Sequence, residues 1–354
     1  MSKAIIAIFS GTGNAMRAGG LLATELGAGG YDVGSVDLSA GEPIPSLGAQ
    51  DLLVICSSTL GFSPPSTVMQ RLRAAPRSSG TKVTMLCVCG GVMREGKLSG
   101  GWSGAASIVA LSILRRKGYM PIGSADASYP ENWTQITEAA KGDDRTAIIA
   151  RGDADTRSFG KALIEGRSVF LTRNILTRSG GRFIAFIFRL LVRRILSSTF
   201  IADDSCSSCG LCAAICPDQT IIMKEGIPSW TKSCSSCNRC INACPSASIQ
   251  TSTARLVIFV ALNVVVLLAS QPLARAVLGS LGLPAEGFLA SLAITLGGIA
   301  LYAAFTILQL GPVSSLLRLL ERKPALRRLF TANFTGRYTR YLAPGFKPGA
   351  HKGS

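Results

Sequence analysis

The chain has 354 residues, of which 47% are hydrophobic and 16% charged, and its net charge is +17. A mean hydropathy of +0.35 is too apolar for an ordinary water-soluble protein and points to membrane segments. A single histidine, His351, argues against histidine acid–base catalysis and His-ligated metal centres.

In chain order, Ala4–Phe9 is a short uninterrupted apolar run, as in a strand buried on both faces. It is too short for the apolar core of a signal peptide, and Gly11 and Gly13 interrupt it at once. Ser10-Gly11-Thr12-Gly13-Asn14 follows, and then a helical stretch from about Ala15 to Leu26. A strand, a glycine-rich hydroxyl-bearing turn and a helix start make an anion cradle. The glycines let backbone N–H groups close on a phosphate, and the helix start adds partial positive charge. The turn has neither the lysine of a P-loop nor the G-x-G-x-x-G of a dinucleotide site, so a turn that binds nothing is the plain alternative. Further strands are expected at Tyr31–Val36, Leu52–Cys56, Lys82–Val88 and about Tyr119–Ala125, with helices over Thr67–Ala75 and Ala105–Lys117 between them. This alternation predicts an α/β doubly wound parallel sheet over residues 1–165, with ligands beyond the carboxyl ends of the strands. Besides Ser10–Asn14, the strand ends carry Thr59-Leu60-Gly61-Phe62 and Cys89-Gly90-Gly91. Cys56, Cys87 and Cys89 read as small buried hydrophobes.

Phe9-Ser10-Gly11-Thr12-Gly13-Asn14 resembles the phosphate loop of flavodoxins, although Ala15 stands where the family usually has a threonine. The Thr59–Phe62 and Cys89–Val92 loops resemble the two that flank the isoalloxazine ring in that family, and Phe62 and then Trp102 are the stacking candidates. Tyr129-Pro130-Glu131-Asn132-Trp133 resembles a segment of prokaryotic flavodoxin–ferredoxin fusion proteins. The resemblance covers roughly residues 1 to 250 and implies a flavodoxin-like domain with FMN as cofactor.

The connector, 166–203, contains Gly180-Gly181 as an expected break. An apolar stretch follows, with Arg182, Arg189, Arg193 and Arg194 spaced along it. It is too short and too charged to span a bilayer. It suits either a helix in the headgroup region or an amphipathic helix docked between two domains.

The most specific signal lies in 204–252. Cys206-x2-Cys209-x2-Cys212-x3-Cys216-Pro217 is repeated as Cys234-x2-Cys237-x2-Cys240-x3-Cys244-Pro245. This is the ligand run of a bacterial-type ferredoxin holding two [4Fe–4S] clusters in a small α+β domain. Three thiolates three residues apart wrap three corners of one cube, and the fourth, unable to reach the same cube without strain, serves the other. Cys206, Cys209, Cys212 and Cys244 are therefore assigned to one cluster, and Cys234, Cys237, Cys240 and Cys216 to the second. Zinc ribbons use two C-x2-C pairs and need no Cys-Pro, and a reducing compartment disfavours a disulfide framework. Thiolate ligands also argue for a reducing compartment.

Residues 255–311 carry two uncharged runs, Leu256–Ala274 and Phe288–Leu310, each of spanning length, joined by a short loop with Arg275 and Glu286. Gly311-Pro312 is expected to close the second. Asn263 lies mid-span and needs a partner, for which Thr295 and Thr306 are candidates. The tail, 312–354, is basic through Arg318, Arg322, Lys323, Arg327, Arg328, Arg337, Arg340, Lys347 and Lys352. The positive-inside rule places the tail and the redox domains on the cytoplasmic side of the membrane. Membrane lipid then accounts for the charge, and nucleic acid is not an expected partner.

Together these readings describe a membrane-anchored electron-transfer flavo-iron-sulfur protein, relaying electrons between a redox donor and acceptor. An FMN-dependent reductase acting on a small substrate or a quinone is the alternative, and a redox sensor or assembly subunit the next.

Overall fold

The computed structural model describes residues 1–171, 175–282, 286–321 and 323–349. Arg322, His351, Lys352 and part of the connector lie outside the described residues.

The first unit is built on β1 (Lys3–Phe9), β2 (Asp32–Asp37), β3 (Leu52–Ser58), β4 (Lys82–Arg94), the short β5 (Lys97–Ser99) and β6 (Met120–Pro130). The parallel strands run in the order β2-β1-β3-β4-β6, and β5 folds back antiparallel on the end of β4. This is the 2-1-3-4-5 order of flavodoxin-like sheets, with its switch point between β1 and β3. Helices cover both faces: α1 (Asn14–Ala28) and α4 (Gly142–Ile164) on one, α2 (Ser66–Ala74) and α3 (Ala106–Arg115) on the other. The cause is visible in the residues. β1 and β3 are apolar on both faces, and Ala18, Leu22 and Leu26 repeat at the helical period of α1 to meet Ile6, Ile8 and Val54. Each such aliphatic side chain, fully buried, stabilises the fold by roughly 1.5–3 kcal/mol.

Two strands run further than their composition predicts. β4 continues to Arg94 and β6 to Pro130, so Cys89-Gly90-Gly91 is strand rather than loop. The extension is held by pairing of Cys89 with Ser128 and of Gly91 with Pro130 across the two strands. Glycines are weak strand formers, but a partner strand supplies the ladder that their composition does not announce.

From Ile175 to Thr199 the connector is helical: α5 (Ile175–Ile187), a π-helical turn at Phe188–Val192, and α6 (Arg193–Thr199). Gly180 and Gly181 do not break it, because Gly181 lies flat against the backbone of Gly104 and Ala105, where a larger side chain would intrude. One face docks on the first unit. Phe188 covers Gly61, Arg189 reaches the Met69 sulfur at 3.5 Å, and Arg193 bonds the Ser66 hydroxyl at 3.1 Å. The opposite face leaves Phe183, Phe186 and Leu190 at least half exposed.

The cysteine-rich unit follows with β7 (Phe200–Ala202), α7 (Leu211–Ala214), the hairpin β8 (Ile221–Lys224) and β9 (Ile227–Trp230), α8 (Arg239–Ala243) and β10 (Ile249–Thr251), which pairs with β7. It sits on the first unit through a buried polar seam. Gln135 donates to the Leu196 carbonyl at 2.8 Å, Thr134 to Asn242 at 2.9 Å, and Thr67 to Asp218.

Two helices are long and apolar enough to cross a membrane, and only 17% and 11% of their most apolar windows are buried. A core helix of a soluble protein would be mostly covered. α9 (Thr253–Ser280) contains Arg275 within the helix rather than in a loop. α10 (Phe288–Leu308) does not end at Gly311-Pro312: it passes through a π-helical turn at Gln309–Val313 into α11 (Ser314–Leu320). The wider turn absorbs the missing proline N–H without stopping the helix. Asn263 finds partners other than the threonines. Its amide donates to Gln309 at 2.9 Å and accepts from the Tyr302 hydroxyl at 2.9 Å, whereas Thr295 and Thr306 bond carbonyls one turn back on their own helix. Arg255 at the foot of α9 is buried against Glu321 and donates to the carbonyls of Ser198 and Phe200. That links the hairpin to the end of the connector. After α12 (Pro324–Thr331) the chain turns back over the first unit instead of trailing free.

Candidate functional site

The two cysteine runs fold into the same loop twice. Ser208 and Ser236 have left-handed φ values of 56° and 57°, Gly210 and Asn238 of 72° and 59°, and Gln219 and Ala247 of 51° and 50°. Three left-handed residues at matched positions curl the backbone in the same way around each run. That is the concavity an anionic inorganic core requires. Helices α7 and α8 begin at the corresponding Gly210 and Asn238.

The runs cross over. Cys206, Cys209, Cys212 and Cys244 line one enclosed cavity, walled also by Met223, Pro228 and Ile249. Cys216, Cys234 and Cys240 are buried in a second cluster with Trp230 and Ile241, and Cys237 is the fourth thiol of that group. Cys216 thus leaves its own run to join the other, and Cys244 does the reverse. Among the described residues no group of three or more His, Cys, Asp or Glu side chains is disposed to hold a single metal ion. A single ion demands ligand contacts near 2.3 Å, whereas a cubane holds its four sulfurs further apart around a cage. The four thiols of the first set share one cavity, and the spacing and the repeated wrap are of the kind a four-iron cluster requires.

Burial pushes the thiol of Cys237 up to about 12 and that of Cys212 up to about 11. Cys244 lies below the ordinary thiol range. Burial would raise it, but the hydroxyls of Ser248 at 3.3 Å and Ser246 at 3.6 Å outweigh that. The other crossing cysteine is served alike, with the Thr220 hydroxyl and N–H each 3.5 Å from the Cys216 sulfur. Donors to sulfur favour the reduced, more negative state of a thiolate-bound cluster.

The Ser10–Asn14 turn sits where the sheet order reverses. Gly13 caps α1 at φ 104°, a conformation that glycine adopts without strain. Ser10 accepts the Gly13 N–H at 3.0 Å, and Thr12 accepts from the Asn132 amide. Ser10 and Thr12 are each 1% exposed. The turn is buried because two elements cover it. Arg239, one residue before Cys240, donates to the carbonyls of Ser10 at 2.6 Å, Gly11 at 3.2 Å and Ile215 at 3.0 Å. The C-terminal strap adds the Tyr341 hydroxyl on Asn14 at 2.7 Å, the Ala343 N–H on the Thr12 carbonyl at 2.8 Å, and the Phe346 ring against Gly13. A methyl group built at Gly11 or Gly13 would come within 2.5 Å of the Cys237 carbonyl or of Phe346. The donor chemistry therefore fits a phosphate, but the space in front of the turn is taken by the strap and by the Cys237–Arg239 turn. A flavin phosphate does not fit this closed arrangement.

Thr59-Leu60-Gly61-Phe62 forms a tight turn closed by the Leu60–Ser63 bridge, with Phe62 itself left-handed at φ 62°. Phe62 and Trp102 pack on each other, centroids 4.5 Å apart. The two stacking candidates thus meet, and Cys89 lies beside Thr59 at 3.9 Å. Arg239 and the Tyr341–Phe346 strap were not singled out in the sequence. A lone arginine inside a cysteine run was the available signal for the first. The second has none, because the strap reads as part of a basic tail.

No family model matches the chain, and no curated protein matches it. Among solved structures, oxidised flavodoxin 1 from Bacillus cereus is similar at 14% identity, covering 46% of this chain and 98% of its own, with a TM-score of 0.33. The two-electron reduced flavodoxin of Megasphaera elsdenii is similar at 18% identity, covering 44% and 98%, with a TM-score of 0.25. The rubredoxin:oxygen oxidoreductase of Desulfovibrio gigas is similar at 13% identity, covering 46% of this chain and 37% of its own, with a TM-score of 0.25. The strand order itself, rather than these distant likenesses, defines the fold of the first unit.

Proposed function

We propose that the chain is a membrane-anchored electron-transfer protein carrying two [4Fe–4S] clusters. Cys206, Cys209, Cys212 and Cys244 hold one cluster, and Cys234, Cys237, Cys240 and Cys216 the other. The observation that carries the proposal is the crossing of the runs, which gathers Cys244 into an enclosed cavity with three cysteines of the earlier run. Each cluster exchanges one electron and is held by four thiolates. The two apolar helices, tied to each other by Arg255 and Glu321 and to the cysteine-rich unit through Arg318 on the Trp230 carbonyl, keep this relay at a lipid surface. The cytoplasmic side is the side on which the basic tail and reduced thiolates are both favoured.

FMN is the second cofactor in this proposal, at Ser10–Asn14, and its binding requires both the Tyr341–Phe346 strap and the Cys237–Arg239 turn to draw back from the glycines. The glycine turn at the start of α1 supports an anion there.

The test is iron analysis and electron paramagnetic resonance on the detergent-solubilised chain reduced with dithionite. About eight irons per chain and signals from two interacting centres are expected. Iron near four, or one isolated centre, would refute the two-cluster reading.

A further inference from the structure

A groove of about 490 Å³ lies between the β8–β9 hairpin and α11, where the second apolar helix ends. Its walls include Ser229, Lys232, Ile227, Arg318, Leu319 and Glu321. The Lys232 ammonium reaches back to Gly311, within 3.9 Å of where a side chain there would begin. On the outer side Leu316 and Leu319 are 53% and 62% exposed. The groove flanks the end of the long apolar helix Phe288–Leu320, so with that helix in a bilayer it would lie beside the lipid surface.

Behind the groove is Trp230. Its carbonyl accepts the Arg318 guanidinium at 2.6 Å, which makes it part of the wall. Its ring stacks on Phe200 with centroids 5.3 Å apart and is buried with Cys216, Cys234 and Cys240. The indole N–H is directed at the Cys240 thiol as a weak donor. One aromatic side chain thus packs against the second thiol set while its own backbone borders the groove.

We infer that this groove is the docking site of a lipid-soluble quinone, reduced there by electrons from the Cys240 side of the relay. The inference rests on the two-cluster reading above. The volume suits one substituted ring, within the range of small-molecule sites. Lys232, Arg318 and the Ser229 hydroxyl supply donors for two carbonyl oxygens. Ile227 and Leu319 supply apolar surface for the ring, and an isoprenoid tail runs along α11 into lipid. The balance is simple. A quinone bound there would take two electrons, one from each of the reduced clusters that the two thiol sets would hold. It takes two protons, from water at the open side and through Lys232, and leaves as the quinol.

The test uses the full chain in lipid nanodiscs. A short-tailed azidoquinone, photolysed with the protein, is expected to label peptides within 224–232 or 315–321. With dithionite-reduced protein, a short-tailed naphthoquinone is expected to reoxidise the clusters. Leu319→Trp, which fills the groove without changing charge, and Lys232→Met are each expected to slow this at least tenfold. The rate with ferricyanide, a soluble oxidant, stays unchanged in both. Labelling elsewhere, full quinone rates in Leu319→Trp, or native mass spectrometry showing only an anionic phospholipid in the groove, overturns the inference. Groove labelling without cluster signals refutes the two-cluster reading instead. Intact cluster signals without groove labelling refute the quinone site alone.

Discussion

Pairwise removal of cysteines tests the crossing of the two runs directly. Cys216 follows Cys212 by four residues, yet the thiols around it are Cys234, Cys237 and Cys240. Cys212 instead shares its surroundings with Cys244, Cys206 and Cys209. The double variant Cys216→Ser/Cys237→Ser therefore removes two ligands from one set and none from the other. It is expected to keep about four irons and one intact, magnetically isolated centre, half of the full complement of about eight. Cys216→Ser/Cys209→Ser removes one ligand from each set, so neither four-iron centre stays intact although the number of substitutions is the same. The assay is iron content together with the paramagnetic resonance of the reduced protein at low temperature. If the first pair lost both centres while the second kept one intact, each run would hold its own cluster. The crossing would then be wrong.

Three further outcomes follow from the packing. Glu321→Gln leaves the Arg255 guanidinium, 5% exposed, without its carboxylate. Breaking a buried pair costs about 3–5 kcal/mol, so the melting midpoint in detergent is expected to fall by on the order of 10 °C. A Glu321→Gln loss under about 1 kcal/mol refutes the pair's role. Truncation after Arg340 removes Tyr341, Ala343 and Phe346 from the phosphate turn and is expected to raise FMN affinity at least tenfold in fluorescence titration. Equal affinity with and without the strap would show that it does not guard the turn. Asp51 accepts the N–H groups of Lys3 at 2.9 Å and Gly48 at 2.8 Å, and these hold its carboxyl below the usual range. Its contribution is present above the unfolded value near pH ~4 and is lost as pH falls through the depressed folded value. Asp51→Asn is expected to destabilise at pH 7 by about 1–2 kcal/mol, and by much less at pH 3. An equal loss at both pH values would contradict the assignment.

Much of the architecture was legible in the residues because local rules write it there. The apolar runs of β1 and β3 and the helical period of Ala18, Leu22 and Leu26 announce a parallel sheet with helices on its faces. Two uncharged stretches of spanning length announce the hairpin. The cysteine spacing announces two matched loops, since short loops leave the backbone few ways to present three thiols. What escaped the residues depends on contacts between segments far apart in the chain. Gly180-Gly181 and Gly311-Pro312 read as breaks, but packing and a π-helical turn carry the helices through both. Asn263 chose Gln309 and Tyr302, because which side chains face each other is settled by how two helices cross. The phosphate turn looked open by its glycines and hydroxyls. Its cover comes from Arg239 and from Tyr341, 327 residues beyond Asn14. No local pattern encodes a contact at that separation, because it exists only once the cysteine-rich unit and the tail have folded back onto the sheet.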